Sequence, residues 1–176
     1  SESYECEKIS IEKLKHFVSK EAFNIDGFGK KIVENFWKLK LIKLPQDIFK
    51  LDYKKIESLE GWGKQSVENL KYSINQKKKV SLERFIYALG MRHIGQENAK
   101  ILSKYFKSAF KFVSISKEKK YSELLNIDGI GETQIHSIKN FFSNKTNLNV
   151  LNELQKILDI QNVSIDSQNR AGIELN

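Results

Sequence analysis

A five-residue pattern of apolar, polar, glycine, apolar, glycine occurs four times in this chain. The copies are IDGFG ending at Gly29, LEGWG ending at Gly63, MRHIG ending at Gly95 and IDGIG ending at Gly131, the third with His93 at the first glycine position. The closing glycines are 34, 32 and 36 residues apart, the length of one supersecondary unit. Of nine glycines, seven lie inside the copies and Gly90 directly precedes one. Glycine is unfavourable inside helices and useful where the backbone takes positive φ or approaches another group closely. Confining it to four periodic points therefore specifies four tight turns.

Each turn is followed by a helical pattern. Ile32, Val33 and Phe36 follow the first, Val67, Leu70 and Ile74 the second, Ile101, Leu102, Tyr105 and Phe106 the third, and Ile135, Ile138 and Phe142 the fourth. Spacings of three, four and seven place each set on one helix face. A shorter apolar run precedes each turn, clearest in Leu82, Phe85, Ile86 and Leu89. The unit is helix, glycine turn, helix. A turn that leads straight into a helix leaves the first amide groups without partners at the positive end of the helix dipole, which suits an anion.

The composition agrees with such a partner. Thirty Lys and Arg against 22 Asp and Glu give a formal charge of +8 and a pI near 9.4, which favours a polyanion. A single proline and abundant Leu, Ile, Phe and Lys predict an all-α fold. The four glycine-turn units resemble helix-hairpin-helix motifs and are expected to pair one with two and three with four into two small bundles. No apolar run is long enough to span a bilayer, and the opening SESYECEKIS reads as no signal peptide. With Cys6 the only cysteine, no internal disulfide forms and a reducing, cytoplasmic setting is expected.

The expected organisation is a lead-in over 1–20, a first hairpin pair over 21–80, a second over 81–145, and a C-terminal helix with a linker over 146–176. Pro45 is expected to start the helix leading to the second turn. Lys77, Lys78 and Lys79 form a charge run that reads either as a solvated linker between the halves or as a direct DNA contact. The expected core is Ile32, Val33, Phe36, Leu59, Val67 and Leu70 in one half. In the other it is Phe85, Leu89, Ile101, Leu102, Leu125, Ile135 and Ile138. Leu148, Leu151, Leu154 and Leu158 mark one more amphipathic helix, and from Asp159 the polar text predicts a loose tail.

Three segments carry a resemblance to a known family: KHFVSKEAFNIDGFGKKIVENF, SLERFIYALGMRHIG and LLNIDGIGETQIHSIKNFF. Together they resemble the helix-hairpin-helix region of bacterial NAD-dependent DNA ligases, over about Cys6 to Leu158 and in the family's order. The resemblance implies a four-cysteine zinc finger just before HFVS, with Cys6 as its last ligand. The other three ligands would precede Ser1, so Cys6 is a stranded zinc ligand and no metal is expected here. It also implies a BRCT domain after the chain's end. Family members adenylate the lysine of a KxDG motif with NAD and seal a nick using Mg²⁺. Neither Asp26-Gly27 nor Asp128-Gly129 has lysine two places before the aspartate, so no KxDG occurs and this stretch alone is expected to be non-catalytic.

What the resemblance leaves to this chain is holding duplex DNA, nicked in the family's reaction, beside the ligase's other domains in a bacterial cytoplasm and nucleoid. Hairpin amides would take phosphates on both strands without reading sequence. Gly27, Gly29, Gly61, Gly63, Gly95, Gly129 and Gly131 would allow close approach, and Lys30, Lys64, Arg92 and Lys100 would add charge. His93 enters the left-handed region more readily than most residues and would keep the third turn while adding a side chain near the phosphate. Six basic residues and one acid lie between Arg84 and Lys111, against two basic and three acidic between Tyr121 and Lys145. The third repeat is therefore expected to contribute more to DNA affinity than the fourth. Two other readings fit parts of the pattern. One is a DNA-repair protein such as a helix-hairpin-helix glycosylase, for which four repeats are unexplained. The other is a helical protein-interaction module whose glycine turns serve only packing.

Overall fold

The computed structural model describes residues 2–118 and 120–164. Among them the chain forms α1 (Glu2–Val18), α2 (Lys30–Lys38), α3 (Tyr53–Glu57), α4 (Lys64–Gln76), β1 (Lys79–Ser81), α5 (Leu82–Ala88), α6 (Gln96–Phe106), α7 (Ala109–Glu118), α8 (Glu132–Ser143), α9 (Lys145–Ile157) and β2 (Asp159–Gln161). Two 3-10 turns, Pro45–Lys50 and Tyr121–Asn126, complete it. The fold is all-α, as composition and periodicity predict.

Helices α2, α4, α6 and α8 are the four that follow the glycine turns. Each begins at the residue after a closing glycine, whose backbone is extended and serves as the N-cap. Their buried stripes are those of the sequence pattern: Val33 and Phe36, Val67, Leu70 and Ile74, Leu102 and Phe106, Ile138 and Phe142. The residue between the two turn positions points inward. Phe28, Ile94 and Ile130 are buried, and Phe28 meets Phe36 edge-on at 5.7 Å. Phe36 in turn lies 5.7 Å from Trp62, the matching residue of the second turn, so one aromatic chain joins the first two turns.

The elements outside the hairpins do more than the sequence suggests. Phe17 of α1 is fully buried, stacked on Phe23 at 4.3 Å and edge-on to Phe49 at 6.1 Å. His16 contacts α5: its Nε2–H donates to the Tyr87 carbonyl at 2.7 Å and its ring lies 4.6 Å from that of Tyr87. Arg84 of α5 reaches back, Nη1 donating to the carbonyls of Lys20 and Ala22 at 3.0 and 2.7 Å. Helix α1 thus joins the approach to the first turn to α5, and the buried side chains form one continuous hydrophobic cluster.

Four expectations need correction. Leu125 is 55% exposed and Leu124 takes the core position, because the segment is a 3-10 turn whose register differs from that of an α-helix. Pro45 opens a 3-10 turn, and α3 starts anew at Tyr53 under an Asp52 cap that accepts from the Lys55 amide. Lys79 is not in a solvated linker, since Lys79–Ser81 pairs in parallel with Asp159–Gln161. Those last three residues are therefore a strand, not a tail, and their ladder brings the chain after α9 back to the centre. The linker expected beyond residue 164 lies outside the described residues.

Helix α9 is held by Leu151 and Leu154, both fully buried, and by an ion pair from Lys50 Nζ to Glu153 Oε2 at 2.9 Å. The Lys50 hydrogen bond, with the nearby charges of Lys50 and Lys156, lowers the Glu153 carboxyl below its ordinary 4.5. A depressed carboxylate contributes stability above its unfolded value and loses it as pH falls through the folded one. The stability difference between the native chain and Glu153→Gln is therefore expected to be present at neutral pH and to shrink progressively in melts as pH falls below about 4.5.

Candidate nucleic-acid interface

The four turns share one backbone geometry. In each, the amide of the residue between the turn positions bonds the carbonyl three residues back: Phe28 to Ile25, Trp62 to Leu59, Ile94 to Met91 and Ile130 to Ile127, at 3.1 to 3.2 Å. The residue before that donor has positive φ, at Gly27 (76°), Gly61 (85°), His93 (64°) and Gly129 (92°). A β-turn with positive φ at its third residue is of the type II family and favours glycine there. His93 adopts the same conformation, and Asn98 Nδ2 donates to its carbonyl at 2.9 Å. A non-glycine residue there costs about 1–2 kcal/mol, partly offset by the entropy that glycine would lose on folding. Replacing His93 with Gly is expected to raise stability by about 0.5 kcal/mol in denaturant titrations, with the turn unchanged.

The closing glycines lie at the surface. At Gly29, Gly63 and Gly95 an added Cβ would meet nothing within 4 Å. Helix geometry leaves the first amides of α2, α4, α6 and α8 without intrahelical acceptors. All four corners therefore present N–H groups outward at the positive ends of helices.

The corners differ in what surrounds those amides. The first is the most open: Gly29 has no side-chain cap, the first turn of α2 holds no acid, and Lys30 and Lys31 begin it. At the second, the Gly63 amide donates to Ser66 Oγ at 2.9 Å, and Lys64 opens the helix with no acid in its first turn. The third has no side-chain cap, and exposed Arg92 and Lys100 flank it, but Glu97 lies in the first turn of α6. At the fourth the Gly131 amide donates to Gln134 Oε1 at 3.0 Å, and Glu132 opens α8. A Cβ at Gly129 would sit 2.7 Å from Ile101 Cδ1, so this turn is packed against α6. Its amides are partly satisfied, its charge is wrong for an anion, and packing explains its glycine.

The lysines also divide. The side chains of Lys30, Lys64, Arg92 and Lys100 form none of the ion pairs found among the described residues. Lys15, by contrast, is bound to Glu34 at 2.6 Å, and Lys139 lies over the Tyr121 ring at 6.0 Å. Arg84, counted by sequence among the basic residues of the third repeat, is committed to the two backbone carbonyls already described. Cys6 is exposed on α1, and among the described residues no three His, Cys, Asp or Glu side chains could hold a metal ion.

The third and fourth hairpins enclose a groove of about 790 Å³, walled by the third turn, by Lys13 of α1 and by the α8 face bearing His136 and Asn140. Sequence reading did not find it. Its residues lie on α1, the third turn, α8 and the start of α9, and nothing in their spacing brings them together.

A model of the helix-hairpin-helix motif matches residues 84–151, the third and fourth hairpins. The DNA ligase of Pelagibacter ubique (strain HTCC1062) is 67% identical over 169 residues, covering 96% of this chain and 25% of that protein. This chain belongs to the DNA ligase family, as its helix-hairpin-helix part. The DNA ligase of Ehrlichia canis (strain Jake) is 45% identical over 92% of the chain and 25% of its own length. That of Rickettsia bellii (strain RML369-C) is 44% identical over 89% and 24%. The chain spans about a quarter of the length of these ligases. The first two hairpins lie outside the motif match, yet they repeat the turn hydrogen bond, the positive φ and the extended N-cap of the other two. Among the described residues no helix is long and apolar enough to cross a membrane.

Proposed function

We propose that this part of the ligase holds duplex DNA, nicked in the sealing reaction of replication and repair, through backbone amides at the glycine corners. The observation that carries the reading is the first turn of α2, α4 and α6: bare glycine caps at Gly29 and Gly95, a cap at Gly63 whose own amide is taken by Ser66 Oγ, and basic side chains beside all three with no acid in the first turn of α2 or α4. A phosphate oxygen accepts hydrogen bonds from such amides and is attracted by the helix dipole. Lys30, Lys64, Arg92 and Lys100 supplement that attraction without fixing a base. Binding of this kind positions the duplex and is indifferent to sequence.

The chemistry belongs to the rest of the enzyme. In the NAD-dependent reading, NAD supplies the adenylate and Mg²⁺ assists sealing, but the residues here fit neither group. There is no KxDG lysine, and among the described residues no acidic cluster could take a cation. Cys6 alone is no zinc site. The chain's own part is to hold the two DNA strands so that the ends stay aligned. A ligase acting on the chromosome places it in the bacterial cytoplasm, at the nucleoid.

Salt dependence tests the mechanism. Each phosphate neutralised contributes a slope of about −0.9 to the dependence of log affinity on log salt, so three corners predict a fall of roughly 40-fold between about 50 and 200 mM. Titrations of nicked and intact duplexes of unrelated sequence are expected to share that slope. A flat response would refute the phosphate mechanism, and no binding even at low salt would favour a protein-interaction module.

A further inference from the structure

The groove beside the third turn has a character that the corner amides do not explain. Its charged and titratable lining groups, among the described residues, are Lys13 from α1, Arg92 and His93 from the turn, and Glu132 and His136 from α8. Asn144 and Asn147, at the start of α9, add amides, and Thr133 and Asn140 add a hydroxyl and an amide on α8. Ser137 also lines it, 8% exposed.

The volume, about 790 Å³, is that of a small-ligand site. Such a space suits a nucleotide or two of one strand, whereas a duplex would rest outside on the corners. Lysine, arginine and two imidazoles against one carboxylate favour an anion. The amides and hydroxyls of Thr133, Ser137 and Asn140 offer both donors and acceptors, as needed for base edges and sugar oxygens.

We propose that the groove between the third turn and α8 seats the phosphodiester backbone of a single nucleic-acid strand, with His93 and His136 strengthening the grip when protonated. The inference rests on the nucleic-acid reading of the third hairpin, which it extends from duplex phosphates to an unpaired strand. Imidazole changes charge between about pH 5 and 8, whereas a phosphodiester keeps its single charge throughout that range. Binding through the groove therefore tightens as pH falls, without any change in the ligand.

The chain has three histidines, and the third is an internal control, since His16 donates to Tyr87 inside the α1–α5 contact. The experiment follows the imidazole protons of the full 176-residue chain by NMR from about pH 5.5 to 8, alone and with a short oligothymidylate, a thymidine 5′-monophosphate or a blunt duplex. The oligothymidylate is expected to raise the titration midpoints of His93 and His136 by about 0.5 each and to leave His16 in place. By linkage that corresponds to about tenfold tighter binding at the acid end. His136→Gln, at an exposed position, is expected to keep the fold and remove about half of the pH response.

Silent His93 and His136, or three histidines moving together, would overturn the proposal. So would a response to the mononucleotide alone, which would make the groove a free-nucleotide site. Salt-sensitive duplex binding with silent histidines would remove the groove and leave the corner mechanism standing. Responsive histidines without duplex binding would do the reverse.

Discussion

Replacing Gly29, Gly63 and Gly95 together by Asp is expected to abolish DNA binding while leaving the protein folded, and slightly more stable. All three glycines have extended N-cap backbones, with φ of −86°, −149° and −88°, and none has an atom within 4 Å of a new Cβ. Aspartate is a preferred N-cap residue, since its carboxylate accepts from the second or third amide of the helix. Each substitution therefore puts an internal anion where the phosphate would sit. Better capping and a less flexible unfolded chain together contribute about 0.5–1 kcal/mol of stability per site.

A lost charge-assisted contact costs roughly 1.5 kcal/mol, so three such losses weaken binding by about a thousandfold. Gly131→Asp makes the comparison, because Gln134 Oε1 already holds that amide and would lie 3.2 Å from the new Cβ. Its effect on DNA affinity is expected to be small, in line with a fourth turn made for packing against Ile101. Fluorescence anisotropy on nicked duplex and urea melts measure both quantities on the same variants. Equal losses at Gly131 and Gly29 would contradict the ranking of the corners, and unchanged affinity in the triple variant would remove the amides from the mechanism.

Phe17→Ala is expected to destabilise the fold by about 3–5 kcal/mol. Phe17 is fully buried and lies against both Phe23 and Phe49, so it joins α1 to the approach of the first turn and to the 3-10 turn at Pro45–Lys50. Truncation leaves a cavity where three rings meet, on an element that also contacts α5 through His16. Chemical melts measure the loss. A cost below about 1 kcal/mol would mean that α1 is an appendage to two independent hairpin pairs.

The helices after each turn were legible because 3.6-residue periodicity and a glycine boundary are local signals, carried by Val33 and Phe36 or by Val67 and Leu70 without reference to the rest of the chain. His93 was legible as a left-handed residue for the same reason, since its place in the repeat names its conformation. Leu125 was misread because a 3-10 turn changes which side chain faces inward, and six residues are too few for periodicity to reveal it. The parallel pairing of Lys79–Ser81 with Asp159–Gln161 was invisible, since the partners are 80 residues apart and three residues are too few for alternation to mark a strand.

At the interface, the sequence ranked the third repeat above the fourth on charge. The structure adds two features of the fourth corner that bear on this proposed order: Ile101 against Gly129 and Gln134 on the Gly131 amide. By itself the sequence determined four corners, their helices, their glycines and the partner class that such corners suit, because turn conformation and helix initiation depend on neighbours in the chain. Which corners stay open, that Arg84 serves the fold, and that Arg92, His93 and His136 share a groove were decided by tertiary packing alone. Those facts depend on distances between segments far apart in sequence, and no local preference encodes such distances.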